Sequence, residues 1–404
     1  MDYFRTGLSP VVETVVVQPT PFCNINCRYC YLPDRNVTTV IEQSTVAALF
    51  SKLFDTSWVG PSLTVIWHAG EPLVVPISFY EQAFRAIEAL RPPEVRIQHS
   101  FQTNGMLITP AWCDFFKEWQ VNVGVSIDGP KQLHDAQRVT RSGRGTFDRS
   151  IAGVRRLREH GVPFHVISVL SGKALESPHD MVEFYRSEGI DNVCFNVEES
   201  EGDHVSELFK TGDVQGRYKA FLAEFWKLSR QGGDIRFLRE IDGMLPRVMR
   251  PEGTQMRNAQ VEPFGMLNVD CSGNVSTFSP ELLGLKNSDY ANFIIGNVKT
   301  DSFEDMRQSP ALAMMTRDIQ AGIDACRNEC EYFSVCGGGA PVNKLAENKS
   351  FGSTRTSFCS LTQMVPIDLI LDAVDRFQDA VGDDLHHIHS LDLHMEPIGA
   401  RRIL

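Results

Sequence analysis

No block of lysine and arginine long enough to neutralise a run of phosphates occurs in this chain, and acidic residues outnumber basic ones, 51 to 39, for a net charge of -12. Without a basic patch there is no electrostatic footprint for nucleic acid, which excludes that class of partner. Long apolar runs are also missing: no stretch reaches roughly 18 uninterrupted apolar residues, so no membrane partner is expected. The first ten residues, Met1 to Pro10, lack the charged-then-apolar layout of a signal peptide, and a cytoplasmic location is expected. Repeats of fixed period and low-complexity tracts are absent. What remains is ordinary: 404 residues at 42% hydrophobic and 22% charged carry a sizeable core, with one large domain and a smaller one.

Cysteine, by contrast, is plentiful. Ten cysteines in a reducing compartment are expected to be ligands rather than disulfide partners. Seven fall in two groups, Cys23, Cys27 and Cys30 near the start and Cys326, Cys330, Cys336 and Cys359 near the end, which suggests two metal sites; Cys271 reads as a hairpin thiol. Cys113 lies in an amphipathic segment and Cys194 in an apolar strand, and both read as core thiols.

Short β-branched runs alternate with helical stretches along the first half. Strands are expected at Thr14 to Val17, Leu63 to Trp67, Val95 to Gln102, Val121 to Ile127, Phe164 to Leu170 and Val193 to Asn196, with helices such as Gln43 to Phe54 between them. Such an array is α/β and closes or nearly closes into a barrel, a partial (β/α)6 arrangement with its chemistry at the C-terminal strand ends. We divide the chain into 1–240 for this barrel, 241–365 for a second, cysteine-bearing domain, and 366–404 for a C-terminal helix and tail. The second domain opens with a hairpin, Gly265 to Val269 and Val275 to Phe278 around Ser272-Gly273-Asn274. The acidic stretch Glu198 to Glu207 reads as a solvated loop that could receive a basic peptide segment, and the histidine-bearing tail, His386 to His394, as a surface segment.

Cys23-Asn-Ile-Asn-Cys27-Arg-Tyr-Cys30 follows the first strand directly. Three thiolates on one loop can hold three irons of a cubane cluster and leave the fourth iron open to a small chelating molecule; a zinc site is the alternative, short of an obvious fourth ligand. The spacing, with an aromatic before the last Cys, resembles the signature of radical S-adenosyl-L-methionine (SAM) enzymes. His68-Ala69-Gly70-Glu71-Pro72 resembles that family's GGEP segment, which implies that Gly70 and Glu71 meet the SAM amino group. By the same resemblance Ser126 would contact the ribose and Arg138 the SAM carboxylate. Taken singly, Glu71 reads equally as a loop acid, Ser126 as a strand-end polar residue and Arg138 as a surface cation. Gln102-Thr103-Asn104-Gly105 resembles the family's TNG segment, or is a plain Asn-Gly turn.

The later cysteines read Cys326-x3-Cys330-x5-Cys336, with Cys359 after a gap of 22 residues. Four thiolates suit zinc or a second cluster. The pattern resembles the SPASM extension of peptide-modifying radical SAM enzymes, which implies that these four fully ligate an outer auxiliary cluster. A full SPASM domain carries an inner cluster as well, but two of its ligand positions are Phe278 and Ala340 here. Two [4Fe–4S] clusters are therefore expected, not three. Ser279 stands where sulfatase-maturing relatives place an Asp, and Glu281 is the nearest carboxylate, a candidate general base or simply a helix-start acid after Pro280.

Chain length, the single auxiliary cluster and the Ser279-Pro-Glu-Leu-Leu-Gly284 run look most like the cyclophane-forming maturases of ribosomally made peptides. The implied reaction joins an aromatic ring to a nearby β-carbon of a precursor peptide, after hydrogen abstraction by a 5′-deoxyadenosyl radical. An electron donor such as a flavodoxin or ferredoxin is implied as a second partner. With the first strand expected from Thr14, leader recognition is assigned to the barrel and SPASM surfaces or to a separate protein. Epimerisation, thioether formation and sulfatase formylglycine maturation are the rival radical reactions. A zinc-binding interaction protein is the rival from another class.

Overall fold

The computed structural model describes residues 10–199, 206, 208–210, 212–251 and 256–382. The histidine-bearing tail and most of the acidic Glu198 to Glu207 stretch lie outside them. Six parallel strands run in chain order, β1 (Val12–Val17), β2 (Val59–Trp67), β3 (Arg96–Thr103), β4 (Asn122–Ser126), β5 (Phe164–Leu170) and β6 (Asn192–Val197), and a two-residue strand β7 (Phe237–Leu238) extends them. Helices α1 (Gln43–Phe54), α2 (Ile77–Leu90), α3 (Pro110–Glu118), α4 (Lys131–Gln137), α5 (Phe147–Glu159), α6 (Pro178–Ser187) and α7 (Val214–Gly232) connect them. This is the α/β array expected from the alternating pattern.

The second half does not form a separate sheet. Strand β8 (Met266–Val269) pairs in parallel with β1, turns back as β9 (Asn274–Thr277), and β9 pairs with the short β10 (Gly296–Asn297). One ten-stranded sheet results, in the order β10-β9-β8-β1-β2-β3-β4-β5-β6-β7, with β7 and β10 at its two edges. The barrel is thus left open, as a partial one should be. The longest helices that follow are α8 (Pro310–Glu329), α9 (Pro341–Asn348) and α10 (Val365–Gly382), with shorter turns between them. The run Ser357–Arg376 could cross a membrane by length and composition alone. Here Val365, Ile367, Leu369 and Ile370 within it are buried in the core.

Period-two alternation sorts the side chains. On β2, Leu63, Val65 and Trp67 face the helices and are buried, and α1 answers with Val46, Leu49, Phe50 and Leu53 at helical spacing. An aromatic cluster of Trp67, Tyr80, Phe84, Phe101 and Phe115 fills the layer between sheet and helices. The opposite face is polar in its middle. Gln102 Nε2 donates to Ser126 Oγ at 3.0 Å, and Gly124 is needed between them and β5. A Cβ there would meet Gln102 Oε1 at 2.1 Å and His165 Nε2 at 2.7 Å.

Several histidines are buried in the neutral form. Burial pushes His99 down to about 3 and His68, His134 and His165 to about 4. The His99 ring stacks on Phe84 with centroids 3.6 Å apart, and its Nδ1 accepts from Trp67 Nε1 at 3.3 Å. Below the ordinary value of 6.5 the unfolded chain takes up a proton at this residue and the folded chain does not. Its contribution is therefore complete above 6.5 and lost as the pH falls toward about 3. Replacing His99 by Phe should cost about 1 kcal/mol at neutral pH through the lost acceptor. Between pH 6 and 4 the variant should lose stability less steeply than the parent, by about 1.4 kcal/mol per pH unit. Urea unfolding across that range reads both, and parallel curves would show that His99 protonates inside the fold.

Candidate active site

The Cys23 to Cys30 loop leaves the C-terminal end of β1 and is strapped down from both sides. Asn26 N–H donates to Val139 O at 2.7 Å and Arg28 N–H to Gln137 O at 3.0 Å, while Arg141 Nη2 donates to Cys23 O at 2.6 Å. The chain following α4 thereby lies against the loop, and this brings Arg138 to it. Arg138 is only 6% exposed. Its Nε lies 3.0 Å from Asp128 Oδ2, its Nη1 approaches Cys27 Sγ at 3.9 Å, and its guanidinium sits 5.4 Å from the centre of the Tyr29 ring. Burial works against the guanidinium charge, but Asp128, Tyr29 and Cys27 outweigh it and raise its pKa above the ordinary value.

Asp128, two residues beyond Ser126 and so on the same side of the strand end, organises this corner. Its Oδ2 also accepts the Tyr29 hydroxyl at 2.7 Å, and Oδ1 accepts Val169 N–H at 3.0 Å. The motif reading passed over Asp128; the two-residue offset from Ser126 was the signal that could have found it.

Glu71 forms the second corner and is 1% exposed. Oε1 accepts from Thr103 Oγ1 at 2.6 Å and Leu73 N–H at 3.0 Å, and Oε2 accepts from Asn104 N–H at 2.8 Å. Burial raises its pKa, opposed by those three donors and by Arg138. A carboxylate offers about four acceptor positions, so Oε2 keeps capacity for one more donor. The Thr103-Asn104 segment is thus more than a turn: it also reaches the cysteine loop, with Asn104 Nδ2 donating to Asn24 Oδ1 at 2.7 Å and lying 4.0 Å from Cys23 Sγ. Gly70 is needed for this approach. Its φ is +63°, and a Cβ would lie 2.4 Å from Thr20 O and 2.6 Å from Phe22 O.

Ser126 sits at the end of β4, bonded to Gln102 as described. Glu281 lies in a short turn, Pro280–Leu282, after β9. It accepts from Ser279 Oγ and, at 3.4 Å, from the hydroxyl of Tyr31, the residue after Cys30. The hairpin thus returns Glu281 to the edge of the cysteine loop.

Cys326, Cys330, Cys336 and Cys359 lie at or beside the ends of helical turns. Cys326 is in the last turn of α8, Cys330 follows that helix, Cys336 closes the turn Phe333–Cys336, and Cys359 precedes α10. Arg247 Nη2 donates to Val335 O at 2.9 Å and Asn258 Nδ2 to Gly339 O at 2.8 Å, which clamps the loop between Cys336 and α9. Lys344, which the sequence reading missed, is buried among these thiols. Phe278 and Ala340 are both buried, Phe278 with φ +75°. Cys113 and Cys194 are buried in the barrel.

Cys27 and Cys30 act electrostatically on Cys23, Cys359 on Cys336, and Cys326 on Cys359. Among the described residues no three His, Cys, Asp or Glu side chains are placed to hold one metal ion. Zinc takes its ligands on one ion, whereas a cubane takes one thiolate per iron at separate corners, and three or four cysteines are the donor set it uses. Burial pushes Cys23 up to about 12 and Cys27 and Cys336 to about 11, so these thiols hold their protons and a bound metal would have to displace them.

Because Asp128 holds the charge of a buried Arg138, Asp128→Asn should destabilise the fold by about 3–5 kcal/mol. Adding Arg138→Gln should recover part of that loss, read by urea unfolding of both variants. Additive losses would show that the two side chains do not compensate each other.

Comparison with known proteins places these features in context. The model of the radical SAM superfamily matches residues 17–185. An uncharacterized protein of Synechocystis sp. is 37% identical over 380 residues, 93% of this chain and 95% of that one. A serine-type anaerobic sulfatase-maturating enzyme of Bacteroides thetaiotaomicron is 25% identical over 366 residues, covering 84% of this chain and 86% of that protein. Among solved structures, anSMEcpe with bound AdoMet and the Cp18Cys peptide superposes with a TM-score of 0.73 at 17% identity, over 92% of this chain and all of that one. Streptococcus suis SuiB bound to its precursor peptide SuiA gives 0.59 at 15% identity, over 88% and 77% of the two chains.

Proposed function

The chain belongs to the radical SAM superfamily, and from that premise we propose that it is a maturase of ribosomally made peptides, joining an aromatic ring to the β-carbon of a nearby residue as a cyclophane. Cys23, Cys27 and Cys30 would hold a [4Fe–4S] cluster, which with SAM would supply a 5′-deoxyadenosyl radical on one-electron reduction. Glu71, with acceptor capacity left on Oε2, would receive the SAM ammonium. Gly70 would keep the backbone close enough for that contact, Ser126 would meet the ribose, and Arg138, aimed by Asp128, would meet the carboxylate.

The substrate gives up a β-hydrogen atom, its carbon radical bonds to the ring, and loss of one proton and one electron restores aromaticity. Glu281, at the edge of the cysteine loop, is the candidate acceptor of the proton. Cys326, Cys330, Cys336 and Cys359 would hold an auxiliary [4Fe–4S] cluster, which would supply a route for the electron, and a flavodoxin or ferredoxin would be the external donor.

One observation carries the choice of reaction. Phe278 and Ala340 stand buried where a full SPASM domain has inner-cluster ligands, so a substrate thiol has no iron to bind there. That weighs against thioether formation and is compatible with carbon–carbon coupling, the reading preferred here over epimerisation. Sulfatase maturation is the second reading, favoured by the 25% identity that spans most of the Bacteroides enzyme. Ser279, in the position of that group's Asp, weighs against it.

The test is anaerobic reconstitution, with iron, sulfide and zinc measured beside reductive formation of 5′-deoxyadenosine. About eight irons per chain are expected, and Cys27→Ala should abolish 5′-deoxyadenosine formation. A precursor peptide should then lose the mass of two hydrogens, with a new ring-to-β-carbon bond in its NMR spectrum. A hydrazine-trapped aldehyde would instead establish formylglycine formation. Solvent deuterium gained at an α-carbon with no loss of hydrogen would establish epimerisation. Zinc without SAM cleavage would overturn the enzyme reading altogether.

A further inference from the structure

Lys344 lies near the start of α9 and is 1% exposed, although its side chain carries an ammonium group. Nζ donates to Cys326 Sγ at 3.1 Å and to Gly322 O at 3.1 Å. Burying an ammonium is costly unless an opposite charge accompanies it. The carbonyl oxygen supplies none, whereas a cluster bound through Cys326 would bring negative charge to the sulfur that Nζ faces.

The surroundings are shaped to admit the lysine. Gly322 lies inside α8, where glycine costs helix stability, but a Cβ there would lie 3.2 Å from Lys344 Nζ and 2.2 Å from Phe351 O. At Gly339 a Cβ would lie 3.3 Å from Cys359 Sγ and 3.6 Å from Lys344 Cε, so the lysine stem runs beside a second thiol of the set. Burial raises the Cys359 pKa, and the charge of Lys344 is among the influences that oppose it.

We propose that Lys344 is a positioning residue that raises the reduction potential of the cluster held by Cys326, Cys330, Cys336 and Cys359. The inference rests on the proposed reading of that group as a cluster site. Reduction adds one negative charge to a cluster. A cationic N–H donor on a ligand sulfur stabilises the reduced form more than the oxidised one, so the potential rises. A raised potential suits the role this site has in the proposed reaction. The coupled substrate radical loses one electron and one proton; the electron reduces the oxidised cluster by one unit and then passes to a one-electron carrier of the flavodoxin or ferredoxin class.

The test isolates this site. In full-length chain carrying Cys23→Ala, Cys27→Ala and Cys30→Ala, iron content and the midpoint potential, followed by EPR, are measured for Lys344, Lys344→Met and Lys344→Arg. With iron retained, Lys344→Met should shift the reduction equilibrium at least tenfold toward the oxidised form, about 59 mV more negative for one electron. Lys344→Arg, which keeps the charge, should shift less. An unchanged midpoint in an iron-loaded Met variant overturns the proposal. If that variant takes up no iron, Lys344→Gln is read in its place, and an unchanged midpoint there has the same meaning. Zinc or no iron in the parent with Lys344 intact overturns the cluster reading itself, and this proposal with it.

Discussion

The site depends on a buried ion pair beneath the cysteine loop. Asp128 and Arg138 are both nearly excluded from water, and charges in that position are tolerated only when paired and hydrogen-bonded. Asp128 meets the requirement by accepting from Tyr29 and Val169 while facing Arg138. Those contacts tie the end of β4 to β5, to the cysteine loop and to the segment after α4. The pair costs desolvation. In return it fixes a cation beside Cys27, where a bound anion or cluster thiolate would need one.

Glu71 does the same work on the other side of the loop. Its donors come from the turn after β2 and from the end of β3, and its own N–H donates to Phe22 O at 2.8 Å. Two adjacent strand ends are thereby tied to the chain just ahead of Cys23. The two corners are coupled electrically as well, since Arg138 acts on Glu71 and Glu71 on Cys23. A site held this way is preorganised, because few of its polar groups are left to reorient when a ligand arrives.

The hairpin adds a constraint of a different kind. By pairing β8 with the outer edge of β1, the sheet covers an edge that would otherwise be open. It also fixes where the later cysteines and Glu281 stand relative to the first loop. Glu281 reaches Tyr31 across 250 positions of sequence only because the turn after β9 folds back over the end of β1. The same arrangement buries Phe278 and Ala340, which leaves the second cysteine group to carry any further metal chemistry alone.

Much of this was legible from residues close together in the chain. Period-two alternation located β1 to β6 within a residue or two, except that β2 begins four residues earlier than expected, at Val59. The helix expected near Gln43 to Phe54 is there as α1, its apolar positions following helical spacing. Cys23, Cys27 and Cys30 are a local pattern and needed no structure to be noticed. Arg138 was different: its sequence neighbours are those of a surface cation, and only the strap from residues 137–141 buries it. Thr103 and Asn104 have the local chemistry of a turn, and only tertiary structure sets both as donors to Glu71; Lys344 likewise has no local sign of lying against Cys326. Spacing along a chain reports which face of a strand or helix a residue occupies. Burial, charge compensation and the joining of the hairpin to β1 arise from pairings between residues tens to hundreds of positions apart, and those the tertiary structure alone decided.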